Sequence, residues 1–137
     1  MAFALEIDGF PSFSIVEIIG LRTEQDVVRL TESTADGRVV VRQRPGRPRG
    51  GECTVTRRVT ASGDIDAWLA QVRADADGAR RNGVVVLYDA DLVPVKRYRL
   101  VNVWPRALAV VGLVAGNVEG PLEHITLVYD AMEPVTT

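Results

Sequence analysis

Histidine and cysteine, two of the residue types that most often act in catalysis, are scarce in this 137-residue chain. His124 is the only histidine and Cys53 the only cysteine. A Ser-His-Asp site would need His124, which lies inside an alternating strand pattern, and the chain has no Gly-x-Ser-x-Gly motif. Cys53 alternates with Val55 and is most simply a small buried apolar residue. The sequence therefore predicts no nucleophilic site and, without a Cys/His cluster, no metal or cofactor.

Two pairs of aspartates have the spacing of an acid/base or metal-binding pair. Asp89 and Asp91 fall between two strand patterns, and Asp75 and Asp77 follow a helix pattern. Aspartate is common in turns because its side chain accepts hydrogen bonds from the nearby backbone. The turn interpretation is therefore favoured for both pairs, and we predict that the protein is not an enzyme.

The strongest local charge lies between Gly37 and Gly51. Arginine favours protein interfaces and pairs with carboxylates, but it also binds the phosphates of nucleic acid. The segment has no aromatic residue to stack on bases and the chain has a formal charge of −2, so an interface is favoured over a solvated loop and over nucleic-acid binding. Five arginines lie in this segment with no acidic residue among them: Arg38, Arg42, Arg44, Arg47 and Arg49. Three acidic residues elsewhere in the chain are predicted to pair with them across an interface: Asp89, Asp91 and Glu133.

The composition is that of one globular domain, predicted to span residues 1–137. Apolar residues make up 47% of the chain and charged residues 25%. Glu6 and Asp8 lie near the N-terminus without a basic region, so no secretory signal is predicted. The longest apolar run, residues 107–116, is about half of the roughly 20 residues that a membrane helix needs. We expect cytoplasmic synthesis without membrane insertion.

Most periodic segments alternate, which predicts a mainly β fold, an antiparallel barrel or sandwich of two packed sheets. Pro45, Gly46 and Pro48 disfavour regular structure, so residues 37–51 are predicted to form a long projecting loop or the tip of a protruding hairpin. The predicted strands are near Phe3–Ile7, Phe13–Ile18, Glu24–Leu30, Arg38–Arg44, Cys53–Val59, Val84–Tyr88, Pro94–Leu100, Val103–Val111 and Leu122–Tyr129.

One helix is predicted at about residues 63–74, because apolar residues recur there at helical spacing. Ser62 or Asp64 is expected to cap it, and Trp68 is expected to pack it against a sheet. Pro105 is expected to mark a strand bend or edge, and Trp104 to fill the core. The predicted core residues are Trp68, Leu69, Tyr98, Trp104, Pro105, Ile125, Leu127 and Tyr129.

Several short motifs occur in a characteristic order along almost the whole chain. They are Phe3-Ala4-Leu5-Glu6-Ile7-Asp8-Gly9, the strand ending in Gly20-Leu21, Cys53–Thr60, the helix with Trp68, Asn102-Val103-Trp104-Pro105 and Ile125–Tyr129. In this order they resemble the tube proteins of contractile tails, which include phage tail tubes, the inner tubes of extracellular injection systems and the related type VI secretion tube. Departures at Arg58, Arg106–Ala109 and Gly120-Pro121 leave open whether the chain resembles the bulk subunit or a minor ring near the baseplate.

The resemblance implies a structural role. It implies sheets that close into a barrel with one helix at the side, and hexameric rings stacked into a hollow tube inside a contractile sheath that delivers payload. Implied partners are other copies of the chain, the sheath, baseplate and spike proteins, and cargo in the lumen. In this family the long loop reaches an adjacent ring, a role that falls by position to Arg38–Gly51. The alternative is a small β-barrel module that binds nucleic acid through Arg38–Arg49, or an apolar ligand.

Overall fold

Antiparallel strands make up most of the protein. The structure is a computed structural model that describes residues 2–10 and 15–135. The prediction of a mainly β fold with one short helix is confirmed. The first residues of the strand predicted at Phe13–Ile18 lie outside the described residues. In chain order the elements are β1 (Ala2–Ile7), β2 (Ile15–Ile19), β3 (Glu24–Ser33), β4 (Val39–Arg49), β5 (Gly51–Arg58), α1 (Asp64–Arg73), β6 (Arg81–Tyr88), β7 (Pro94–Val111), β8 (Leu122–Tyr129) and β9 (Ala131–Pro134).

One curled sheet has the strand order β1-β6-β7-β8-β5-β2, with β9 also paired to β7. The long strand β7 divides it into two sections. Up to Val103, β7 pairs with β6 and β9, and with β1 these strands form the first section. From Trp104 onward, β7 pairs with β8, which is followed by β5 and β2 in the second section. The two strands predicted at Pro94–Leu100 and Val103–Val111 are thus one bent strand.

The bend in β7 lies at Asn102, whose φ of 54° is in the left-handed region. Asparagine tolerates this region better than most residues. The Asn102 side-chain Nδ2 donates to Asp130 Oδ2 at 2.8 Å, and its backbone N–H donates to Asn82 Oδ1 at 3.3 Å. Pro105 follows in a part of β7 that pairs only with β8, just before a bulge. The missing N–H of Pro105 therefore does not interrupt pairing with a second strand.

The core lies between the two sections and is closed by α1. Trp68 is 1% exposed, packs among residues of both sections and donates its indole N–H to the carbonyl of Ala79. Trp104 alternates along β7 with the buried Val103 and Pro105 and is itself half-buried. The expectation that Trp104 fills the core was therefore wrong. Of the other expected core residues, five are buried and two are partly exposed: Trp68, Pro105, Ile125, Leu127 and Tyr129, and then Leu69 and Tyr98.

The helix begins differently from the sequence prediction. Gly63 occupies the N-cap position without a side-chain cap bond, and Asp64 is the first helical residue. Arg57 of β5, only 5% exposed, donates Nη2 to Asp64 Oδ1 at 3.0 Å and Nε to Glu123 Oε2 at 2.9 Å. Burial raises the pKa of Asp64, but the hydrogen bonds from Arg57, Ser62 and the Ile65 N–H, together with the Arg57 charge, outweigh it and lower the pKa below its usual value. This buried pairing fixes α1 to β5 and β8.

Candidate assembly surfaces

The basic segment is the second strand of a two-stranded arm rather than a loop. Strands β3 and β4 pair antiparallel from Glu24 opposite Arg49 to Ser33 opposite Val39, and they form a sheet of their own. Because β4 has a single neighbour, a proline without an N–H can be placed there without breaking a second ladder. Gly46 lies opposite a bulge, where a Cβ would come within 2.9 Å of a carbonyl oxygen. The predicted long loop was therefore wrong. The alternative prediction, a protruding hairpin, describes the arm, except that residues 39–49 form its second strand rather than its tip.

The arm is exposed along its whole length. No residue of β3 or β4 is buried. The exposed fractions of Val39, Val41 and Val27 are 66%, 60% and 58%. A lone two-stranded hairpin is at best marginally stable in water, and clustered exposed apolar residues mark interaction sites. The arm therefore has the properties of a docking element.

The register of the arm separates its residues into two faces. Residues directly opposite each other share a face, so Val27 lies beside Pro45, and Val41 and Val39 continue the same side. The same side also carries Arg29, Gln43, Thr31 and Ser33, so apolar and polar residues share it. We call its four apolar residues, Val27, Val39, Val41 and Pro45, the apolar face of the arm. The other face carries two of the arginines, Arg42 and Arg44, opposite Leu30 and Val28.

Three of the five arginines have acidic partners inside the arm. Arg42 pairs with Glu32 at 3.2 Å and Arg49 with Asp26 at 3.2 Å, both across the ladder. Arg38 pairs with Asp36 in the turn at 3.4 Å. Such exposed pairs contribute little to stability. The sequence could not reveal them, because the acids belong to β3 and the register that aligns them is a property of the fold.

The two remaining arginines, Arg44 and Arg47, make no ion pair within the described ranges 2–10 and 15–135. The acidic residues predicted as partners are not brought to them. Asp89 Oδ1 accepts hydrogen bonds from the backbone N–H groups of Asp91 and Val93 at 2.9 and 3.0 Å, which is a turn. Glu133 pairs with Arg99 of β7 at 2.8 Å. Contacts between the arm and these acids would require a second copy of the chain.

Two open sheet edges bound the second section. On one side is β2, whose one described neighbour is β5, and on the other is β7 from Trp104 onward, which pairs with β8. Apolar side chains are exposed along both edges: Val16 and Ile19 at 52% and 54%, and Val110 and Val111 at 45% and 39%. An open edge presents unpaired N–H and C=O groups that can pair with another chain.

A third exposed surface is the distal loop, residues 112–121, which connects β7 to β8. Leu113 is 75% exposed, Val114 68% and Val118 99%. Gly112, Gly116 and Gly120 all have positive φ. This loop was not among the predicted functional residues, although apolar residues between evenly spaced glycines are a visible signal in the sequence.

The groups that could do chemistry are dispersed. Burial, with the nearby Glu52 charge, raises the pKa of the Cys53 thiol to about 12. His124 lies in β8 between Thr56 and Ala109. Over the described residues no three His, Cys, Asp or Glu side chains are grouped to hold a metal, and no helix is long and apolar enough to cross a membrane. A recess of about 350 Å³ between α1 and β7 is lined by both apolar and charged side chains.

Comparison with known protein families gives a match over almost the whole chain. Residues 1–133 match the family described as T4-like virus tail tube protein gp19. None of the curated proteins compared with the chain matches it.

Among solved structures, the fold is similar to the tube-terminating cap of the anti-feeding prophage (TM-score 0.77, 16% identity, 98% of this chain and 88% of that one). It is also similar to the PVC extracellular contractile injection system sheath–tube complex in the extended state (TM-score 0.76, 14% identity, 98% of this chain and 88% of that one). Hcp1 from Flavobacterium johnsoniae is less similar (TM-score 0.55, 14% identity, 98% of this chain and 94% of that one).

Proposed function

The chain belongs to the T4-like virus tail tube protein gp19 family, and from this membership we propose that its copies form hexameric rings that stack into a tube. It is a structural subunit of the inner tube of a contractile injection system or phage tail. We further propose that it is made in the cytoplasm, has no catalysis of its own, and contacts sheath, baseplate and spike proteins of the same particle, with cargo in the lumen. The observation that carries the proposal is the arm, which has no buried residue in a single copy.

Ring closure is supported by the two open edges of the second section. Pairing of β2 in one copy with the free edge of β7 in the next would join copies through main-chain hydrogen bonds. The two edges differ, so the contact is head-to-tail and closes into a ring when the rotation fits. The exposed valines and isoleucine along both edges would be covered in the same step.

Stacking is assigned to the arm, because it extends from the body with apolar and basic side chains that a single copy leaves uncovered. We expect the variant R42S/R44S/R47S/R49S to stay folded, since all four side chains are exposed, and to form rings that do not stack. The narrower variant R44S/R47S removes the two of these five β4-side arginines that make no ion pair within the described residues, and it is expected to have the same defect. Negative-stain electron microscopy measures tube length, and light scattering measures ring mass.

The matched control is R73S/R80S, which removes two exposed arginines outside the arm. It should form tubes of wild-type length. Full-length tubes from the quadruple arm variant would contradict the assignment of stacking to the arm arginines. A wild-type protein that stays monomeric at every concentration and is retained on heparin would instead support the binding-module alternative.

A further inference from the structure

Two unpartnered apolar surfaces lie at opposite ends of the second section. The arm leaves the body where Gly51 of β5 faces Tyr129 of β8. The distal loop leaves it at the other end, where Val111 and Arg58 both face Leu122. Eight residues of β8 separate the two ends, about 27 Å of extended chain. A surface at one end of a copy is therefore placed to meet the surface at the other end of the next copy.

Neither surface is covered by the copy that carries it. No residue of the arm is buried, and Val118 in the distal loop is 99% exposed. An Asn117 side chain accepts a hydrogen bond from the Glu119 N–H at 3.1 Å, and Arg58 donates to the Glu119 carbonyl at 3.2 Å. These bonds order the loop while its three large apolar side chains point away from the body.

The two surfaces are also chemically complementary. The apolar face of the arm offers valines, and the distal loop offers Leu113, Val114 and Val118. Arg47, two residues beyond the end of that face, makes no ion pair, and the carboxylate of Glu119 in the loop makes none within the described residues. Apolar contact with a charged pair at its rim is the usual composition of a protein interface.

We propose that the apolar face of the arm docks on the distal loop of a second copy in the next ring. This inference rests on the proposed stacking of rings and names the surface that receives the arm. Because donor and acceptor surfaces differ, the contact is heterologous and repeats along one axis without closing, as a tube of any length requires.

Cross-linking of assembled protein tests the contact directly. V41C/V114C places one thiol on each surface, and Cys53 can stay because it is 3% exposed. Mild oxidation of tubes should give a ladder of covalently linked chains longer than dimers, because each copy takes part in two bonds. Unassembled protein should give no such ladder. The control V41C/L92C moves the second thiol to the exposed β6–β7 turn, where Leu92 is 70% exposed, and should not cross-link.

A charge variant gives an independent readout. L113D/V118D alters two exposed side chains, so the fold should be retained, and placing their charges in an apolar contact should shorten tubes at least about tenfold. The control L92D/V93D should leave tube length unchanged. V41C/V114C tubes that give no ladder on oxidation, or L113D/V118D tubes of full length, would overturn the docking proposal while leaving stacking intact. Wild-type rings that never stack would overturn the proposed function itself.

Discussion

At the scale of single residues, the most consequential side chain is one that the sequence does not single out. Arg57 carries a full charge at 5% exposure, between the carboxylates of Asp64 and Glu123. Burial opposes its charge, yet the hydrogen bonds that Arg57 donates to both carboxylates, together with their negative charges, raise the pKa of Arg57 above its usual value. Its alternation with Val55 predicts that Arg57 faces the core. The neighbouring sequence does not reveal its two carboxylate partners, because they belong to α1 and β8.

Replacing Arg57 with alanine should strongly destabilise the protein. The substitution leaves two nearly buried carboxylates without their cation, and breaking a buried pair in this way costs about 3–5 kcal/mol. Urea unfolding followed by circular dichroism measures the free energy of unfolding. R44A, at an exposed arginine that makes no ion pair within the described residues, is the control and should lie within about 0.5 kcal/mol of wild type. An R57A loss as small as that of R44A would show that the network is not structural.

At the scale of elements, alternation in the sequence predicts most of the curled sheet, because strands with one buried face show a period of two. It fails for the second half of β4, beyond the strand predicted at Arg38–Arg44, where Pro45 and Pro48 signal a break. A strand tolerates these prolines when it has one neighbour, and β4 has this arrangement because it pairs with β3 in a separate two-stranded sheet. It also misses β9, four residues long, which is held by pairing with β7 rather than by its own pattern.

The bend of β7 is the element on which the two-section sheet depends, and Asn102 is the residue that makes it. N102A should destabilise the protein by about 1–3 kcal/mol, because alanine is strained at φ 54° and loses the bond to Asp130. N102G relieves the strain but not the lost bond, so it should be less damaging than N102A. Thermal unfolding of the two variants measures the difference. A glycine variant less stable than the alanine variant would contradict the backbone argument.

At the scale of the whole molecule, the thickness of the subunit determines which face of the second section turns inward in a ring. Helix α1 and the first section pack on its core face, so that side is the bulkier one. The outer circumference of a ring is longer than the inner one, so in the proposed ring we expect the bulky side to face outward and the opposite face to line the lumen. The two central register rows of that opposite face hold small or uncharged residues: Ala109, His124 and Thr56, then Ala107, Thr126 and Thr54. The rows on either side of them include Glu52 and Arg58.

This orientation predicts where a reagent can reach an assembled tube. Ala109 is exposed in the single copy on the proposed lumen face, and Ala70 is exposed on α1 at the proposed outer surface. In unassembled protein, A109C and A70C should react equally with a bulky polyethylene-glycol maleimide, because both side chains face solvent. In tubes, A70C should keep its reactivity while A109C should be protected, since the reagent can enter only from the tube ends. A mass shift on denaturing gels measures labelling. Rapid labelling of A109C together with protection of A70C in tubes would reverse the orientation, because the thicker side would then face the lumen.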